Sequence, residues 1–276
     1  MSVTDIAAVD LADSVRTVRE TEPLVQHVTN TVTINDVANL TLHWGGLPVM
    51  ADSFGDAGEM TAAARALVIN IGQVPDDRVE AMHEAGRKAN DRGVPVVLDP
   101  VGLGSTPSRE AVTESLLEAV DFAAIKGNYG EISALAGVEA NVEGVESIGD
   151  YEAIEETAQS VADSTDAVVV ASGVDDVVAD ADGAVRITAG HEMLGEVVGT
   201  GCMLGATVGT FAGALEDPRE AAVYGTLAFG IAGERAAAMD YAGPGSYRTN
   251  FQDAVSGVTG DDLESADLAD RLEPAL

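Results

Sequence analysis

The chain has 276 residues, 46% of them hydrophobic, enough for a sizeable core and fitting for one large α/β domain over 1–276. Asp and Glu number 47 against 14 Lys and Arg, a net charge of −33 spread along the chain, which argues against nucleic-acid binding because phosphates require a basic patch. A single cysteine excludes an internal disulfide framework, and the absence of a leader pattern or of a run of about eighteen apolar residues leads us to expect a cytoplasmic protein with no membrane segment.

In chain order, residues 26–53 (QHVTNTVTINDVANLTLHWGGLPVMADS) are rich in Thr and Asn ahead of an amphipathic helix over 34–43. Asn30 and Asn35 offer amide hydrogen bonds. Met50, ending a short strand over 47–51, offers a soft apolar contact. Together they suit a small, partly polar heteroaromatic ligand. Taken singly, each is better explained by a helix near Ile34 capped by Thr33.

Strands follow over 66–72, 94–102, 122–128 and 167–173, with helices over 75–90, 108–120 and 151–164 between them. DVVADADGAVRI reads as a hairpin turning at Asp182-Gly183. Two small-residue-rich helices follow, over 201–215 and 218–241, and the acidic tail after about Gly260 reads as a peripheral helix. Strand–helix alternation implies a mainly parallel sheet, and strands apolar at nearly every position imply burial on both faces. The expected fold is therefore a three-layer α/β/α sandwich. In such sheets ligands sit beyond the carboxyl ends of the strands.

Residues of interest do follow the strands. Asp99 ends one, in LDPVGLGST, where it contacts a cation, a donor or a metal-bound water, or else serves as an ordinary turn residue. In IKGNYGEI, Asn128 and Glu131 have the spacing of a capping box. That leaves Lys126 unexplained. In a chain whose only other lysine is Lys88, it points to a local positive charge for phosphate. Ser172-Gly173 closes the strand over 167–173 with a small hydroxyl and a backbone N–H, suited to a phosphate oxygen or to a plain turn.

VVGTGCMLGA carries the only cysteine, Cys202, at a helix start cushioned by Gly199, Thr200 and Gly201. Free backbone N–H groups and the positive end of the helix dipole make this an anion hole that could stabilise a phosphoryl group in flight. A thiol there is expected to have a lowered pKa and to accept or orient a hydroxyl proton. A buried space-filling cysteine fits the position equally well. No P-loop pattern occurs, and His27, His43, His83 and His191 lie in no recognisable pairing with the cysteine.

As an ordered set, TNTVTIND.AN, G.LPVMAD, LDPVG.G.TP, IKGNYGEI, GTGC and GPGSY resemble the hydroxyethylthiazole kinases of the ribokinase-like superfamily, from about Pro23 to Gly257. The superfamily usually carries aspartate where this chain has Cys202; the cysteine is the thiazole-kinase signature. The resemblance implies a homotrimeric, ATP-dependent kinase for 5-(2-hydroxyethyl)-4-methylthiazole in thiamine biosynthesis or salvage, with its sites between subunits. By residue match, Met50 and Gly199 contact the thiazole, with Asn30 nearby. Lys126 and Ser172, beside Asn128, contact ATP; the family commonly has Arg and Thr at these two positions, and Lys lacks the bidentate fork. Asp99 and Glu131 organise Mg²⁺ and its waters, and Cys202 accepts the hydroxyl proton within the Gly199–Thr200–Gly201 cradle. The alternatives are a hydroxymethylpyrimidine or sugar kinase of the same fold, and a non-catalytic metabolite-binding protein. The acidic, lysine-poor composition resembles proteins of salt-accumulating halophilic archaea.

Overall fold

The computed structural model describes residues 8–138, 142–143, 146–147, 153–260, 263, 268 and 271–276. Its strands are β1 (Leu24–Val28), β2 (Leu47–Val49), β3 (Ala66–Asn70), β4 (Val96–Asp99), β5 (Ala124–Asn128), β6 (Val142–Glu143), β7 (Glu146–Ser147), β8 (Val168–Ser172), β9 (Asp176–Asp180), β10 (Gly183–Ile187) and β11 (Leu272–Pro274). Nine of them form one sheet in the order β11-β10-β9-β8-β5-β4-β3-β1-β2, and β6 and β7 pair separately. From β2 through β8 every neighbour in that sheet is parallel. β9, β10 and β11 add an antiparallel flank.

Alternation along the buried strands builds two cores. Val68 and Val170 face one side with Leu11, Val37, Phe211 and Phe251; Leu67, Ile69 and Val169 face the other with Met82, Leu116 and Val161. The first side is covered by α1 (Ala8–Thr21), α2 (Ile34–Trp44), α8 (Thr200–Ala212), α9 (Pro218–Ala238) and α10 (Pro244–Gly257). On the second lie α3 (Asp56–Thr61), α4 (Asp76–Asn90), α5 (Pro107–Ala119), α6 (Tyr129–Leu135) and α7 (Ile154–Thr165). This is the expected three-layer sandwich around a mainly parallel sheet.

Local chemistry sets several boundaries. Thr106 caps α5 ahead of Pro107, and Asp217 caps α9 ahead of Pro218 by accepting from two backbone N–H groups. The β9–β10 hairpin turns through Ala181 and Asp182, one residue earlier than expected, because Asp180 pairs with Gly183. The helix expected after Gly260 falls mostly outside the described residues, and Leu272–Pro274 form the edge strand β11.

β1 is not anticipated by periodicity, since Gln26 and His27 sit in its middle. Both are buried. Gln26 donates to the carbonyls of Ala51 and Ala57 at 3.0 Å and accepts from the Thr61 hydroxyl at 2.7 Å. His27 Nε2 lies 3.1 Å from the Thr41 hydroxyl. Burial pushes the His27 pKa down from 6.5 to about 4.

The imidazole is therefore neutral in the fold between these values while the unfolded chain takes up a proton. Stability from His27 is complete above pH 6.5 and is lost as pH falls toward 4, by at most about 3 kcal/mol. The denaturant midpoint of the parent should consequently drop more steeply between pH 7 and pH 4.5 than that of His27→Gln. Parallel slopes for the two proteins would exclude this contribution.

Candidate functional site

The parallel strands deliver one candidate residue after another, all but Met50 polar, to a common edge. Asn30 follows β1, Met50 follows β2, Asn70 ends β3, Asp99 ends β4, Lys126 and Asn128 close β5, and Ser172 ends β8 opposite Asn128. Across this edge lies the start of α8. A glycine at every fourth position lets the helix approach the sheet. A Cβ at Gly201 would stand 3.1 Å from Lys126 Nζ, at Gly205 3.2 Å from Asp99 Oδ2, at Gly209 2.3 Å from Val68 Cγ2 and at Gly213 3.3 Å from the Ala66 Cβ. Gly199 caps the helix at φ +99°, with Thr33 Cγ2 2.8 Å from where a Cβ would sit. The left-handed backbone and the close neighbour both require glycine there.

Beneath that helix start the charged groups are almost dry. Asp99 is 1% and Lys126 3% exposed, with Asp99 Oδ1 4.0 Å from Lys126 Nζ. Asp99 Oδ2 accepts from Asn70 Nδ2 at 2.6 Å. Glu131 accepts the backbone N–H groups of Gly102 and Asn128, both at 2.7 Å, while Asn128 Oδ1 accepts from the Glu131 N–H at 2.8 Å. The capping box is thus real, and one of its carboxylate oxygens also ties down the loop after β4.

Burial pushes Asp99 up to about 7 against the downward pull of Lys126. Desolvation alone would lower Lys126, but Asp99 and then Glu131 outweigh it and raise its pKa. The lysine therefore carries its charge, in reach of whatever anion enters above Gly201.

At the centre is Cys202. Its sulfur accepts from Asn70 Nδ2 at 3.3 Å and from Asn30 Nδ2 at 3.6 Å. The expected lowering of its pKa is not found. Burial, then the Asp99 carboxylate, raise the thiol above its ordinary 9.0, outweighing Thr33, Lys126 and Asn70, which favour the thiolate. Burial of the helix start, with the Asp99 carboxylate second, was absent from the sequence argument and reverses its sign.

This grouping of a lone thiol, a buried Lys–Asp pair and a glycine-cushioned helix start can be set beside known proteins. The family model of hydroxyethylthiazole kinases matches residues 15–261. The chain belongs to the hydroxyethylthiazole kinase family. Hydroxyethylthiazole kinase of Natronomonas pharaonis is 51% identical over 275 residues, covering 98% of this chain and 97% of the relative. The solved structure of the hydroxyethylthiazole kinase protein from Pyrococcus horikoshii OT3 superposes with a TM-score of 0.84 at 36% identity, over 93% of this chain and 96% of that one. A ribokinase-like superfamily protein from Enterococcus faecalis V583 matches with a TM-score of 0.60 at 11% identity, over 93% and 91% of the two chains, a likeness of fold alone.

Within this thiazole-kinase fold the expected residues differ in how they are used. Thr200 turns its hydroxyl away from the cradle, donating to the carbonyls of Leu194 at 2.8 Å and Val197 at 3.1 Å, so it braces the preceding loop. Ser172 donates to the Gly127 carbonyl at 3.3 Å. Met50 is half-buried and packs on the same core as Cys202.

Sequence reasoning missed Asn70, which contacts both Asp99 and Cys202; its signal was an asparagine ending the otherwise apolar run ALVIN. It also missed Asp36, whose carboxylate is bound by Arg248, clamping α10 to α2 beside Thr33. Nothing local to either residue suggests that pair.

Among the described residues no group of three or more His, Cys, Asp or Glu side chains could cage a metal. Yet Asp99 Oδ1 is buried with no hydrogen-bond donor. Asp99 and Glu131 also outnumber the single Lys126, so a triphosphate entering here needs a further cation. The donor set fits an oxygen-seeking Mg²⁺ that keeps waters and arrives with nucleotide phosphates.

Proposed function

We propose that the chain transfers the γ-phosphoryl group of ATP to the primary hydroxyl of 5-(2-hydroxyethyl)-4-methylthiazole, as a single kinase domain in thiamine biosynthesis or salvage. The observation that carries this reading is the Cys202 sulfur, held by two amides at the start of α8 directly over the buried Lys126–Asp99 pair. Family membership supplies the substrate class.

Phosphoryl transfer needs positioning and charge neutralisation more than covalent chemistry. Lys126 holds the triphosphate, with Ser172 and Asn128 beside it. The backbone N–H groups of Gly201 and Cys202, with Gly199 beside them, receive the charge of the transferring group, while that of Thr200 turns to the Val197 carbonyl at 3.5 Å. Met50 and Asn30 seat the thiazole, and Cys202 orients the hydroxyl and takes its proton. Asp99 and Glu131 would hold Mg²⁺ through water, and bound there the ion would neutralise phosphate oxygens. Incubation with Mg-ATP and a panel of thiazole, pyrimidine and sugar alcohols tests the reading; ADP release with the thiazole alcohol alone is expected, and turnover of a pyrimidine or sugar alcohol in its place would reject it.

A homotrimer with sites between subunits accompanies this proposal. Val32, Leu47 and Phe54, on or beside the segment bearing Asn30 and Met50, are 67%, 45% and 67% exposed, as residues awaiting a neighbouring subunit would be.

A cytoplasm rich in salt is also part of the reading. At 0.1 M ionic strength charges repel over about 10 Å, at 1 M over about 3 Å. A protein of net charge −33 should therefore gain both activity and melting temperature as KCl rises into the molar range. Full activity and stability in dilute buffer would contradict salt adaptation.

A further inference from the structure

Asn70 is 2% exposed and uses both ends of its amide. Its Oδ1 accepts from the Gly72 backbone N–H at 3.0 Å and from Asn30 Nδ2 at 2.9 Å. Its Nδ2 donates to Asp99 Oδ2 at 2.6 Å and to Cys202 Sγ at 3.3 Å. A backbone N–H can only donate, so Gly72 fixes which end is oxygen. The donor end is thereby aimed at Asp99 and Cys202 and cannot be flipped without leaving Gly72 and the carboxylate unsatisfied.

Asn30 is fixed in the same way. Its Oδ1 accepts from the backbone N–H groups of Val32 and Thr33, both at 3.0 Å. That turns its Nδ2 toward Asn70 and, at 3.6 Å, toward the sulfur. Two amides anchored by main-chain donors thus converge on one sulfur, and Asn70 is the nearer of them.

We propose that Asn70 is a positioning residue for phosphoryl transfer, acting through Cys202: its amide holds the sulfur as an acceptor facing the incoming hydroxyl. The proposal rests on the thiazole-kinase reading for its effect on turnover, but not for its effect on the thiol. Cys202 is the sole cysteine, so alkylation by iodoacetamide reports on this sulfur alone.

Three measurements test it. Asn70→Leu keeps the shape and removes both donors; Asn70→Asp also keeps the acceptor for Gly72 and stands in should the leucine variant fail to fold. Either should slow alkylation at pH 8 by about threefold or more, since a donor to sulfur favours the thiolate. A merely unfolded site would instead speed it. Either should lower kcat by at least about tenfold while KM for the thiazole alcohol stays within about twofold. In a Cys202→Ala background the same change should cost less than about twofold further, because its route of action is already gone. Unchanged alkylation, or an equal kcat loss in both backgrounds, overturns the proposal. A parent enzyme inactive on the thiazole alcohol overturns the functional reading instead.

Discussion

Replacing Cys202 by alanine is expected to lower kcat at least about tenfold, whereas Cys202→Asp stays within about threefold of the parent or exceeds it. The sulfur's surroundings make the asymmetry. Asn30 and Asn70 present N–H donors that a carboxylate accepts better than a thiol does. Lys126 lies just across Gly201, close enough to offset the added charge against Asp99.

The thiol, moreover, titrates above its ordinary 9.0, so only a small thiolate fraction exists near neutrality. The thiolate that can accept the hydroxyl proton becomes a larger fraction as pH rises toward that raised pKa. Turnover of the parent should therefore climb through pH 8 and beyond, while that of the aspartate variant levels off at lower pH. Steady-state pH profiles of both proteins check this. Unchanged turnover in Cys202→Ala would remove the proton-accepting role.

The second large effect is expected at Lys126. Lys126→Ala should reduce kcat/KM for ATP by roughly 10²–10³, the scale of losing one pre-aimed charge at a transition state. Lys88, on the opposite face in α4, serves as the control, and its alanine variant should match the parent.

Stability should suffer less than activity. Breaking a buried ion pair commonly costs about 3–5 kcal/mol because a charge is stranded. Here Asp99 already titrates at about 7 with the lysine in place, and loss of the lysine pushes it higher. It would then hold a proton at neutral pH, while Glu131 keeps the Gly102 and Asn128 N–H donors, so neither carboxylate is left as a bare charge. A melting temperature a few degrees below the parent, together with the collapse in nucleotide use, is the expected pair of results. Full kinetic competence of Lys126→Ala would show that the triphosphate binds elsewhere.

How far the sequence disclosed all this depends on whether the deciding interaction is local. Capping by Asn128 and Glu131 acts over three residues, so spacing alone revealed it. The strands of the sheet's middle are nearly all apolar, and so is their message. β1 failed that test because Gln26 is satisfied by Ala51, Ala57 and Thr61, partners 25 or more residues away. The pKa of Cys202 failed for the same reason: the burial that raises it, and the Asp99 carboxylate that adds to it, arise only through the packing of α8 on β4. Asn70 was visible as a letter but not as a hinge between two site residues, since its four bonds run to three other segments and its own turn.

The glycines that seat α8 along the sheet carry a consequence for tolerance to change. From Gly213 to Gly201 the helix is a rod of about 18 Å whose tilt is set at every fourth residue. A methyl group added at Gly209, against Val68, acts like a wedge under a lever and swings the far end, where the proposed phosphoryl cradle lies. The aim of that cradle is thus set in part by side chains missing at Gly209 and Gly213, about two and three turns of helix from the sulfur.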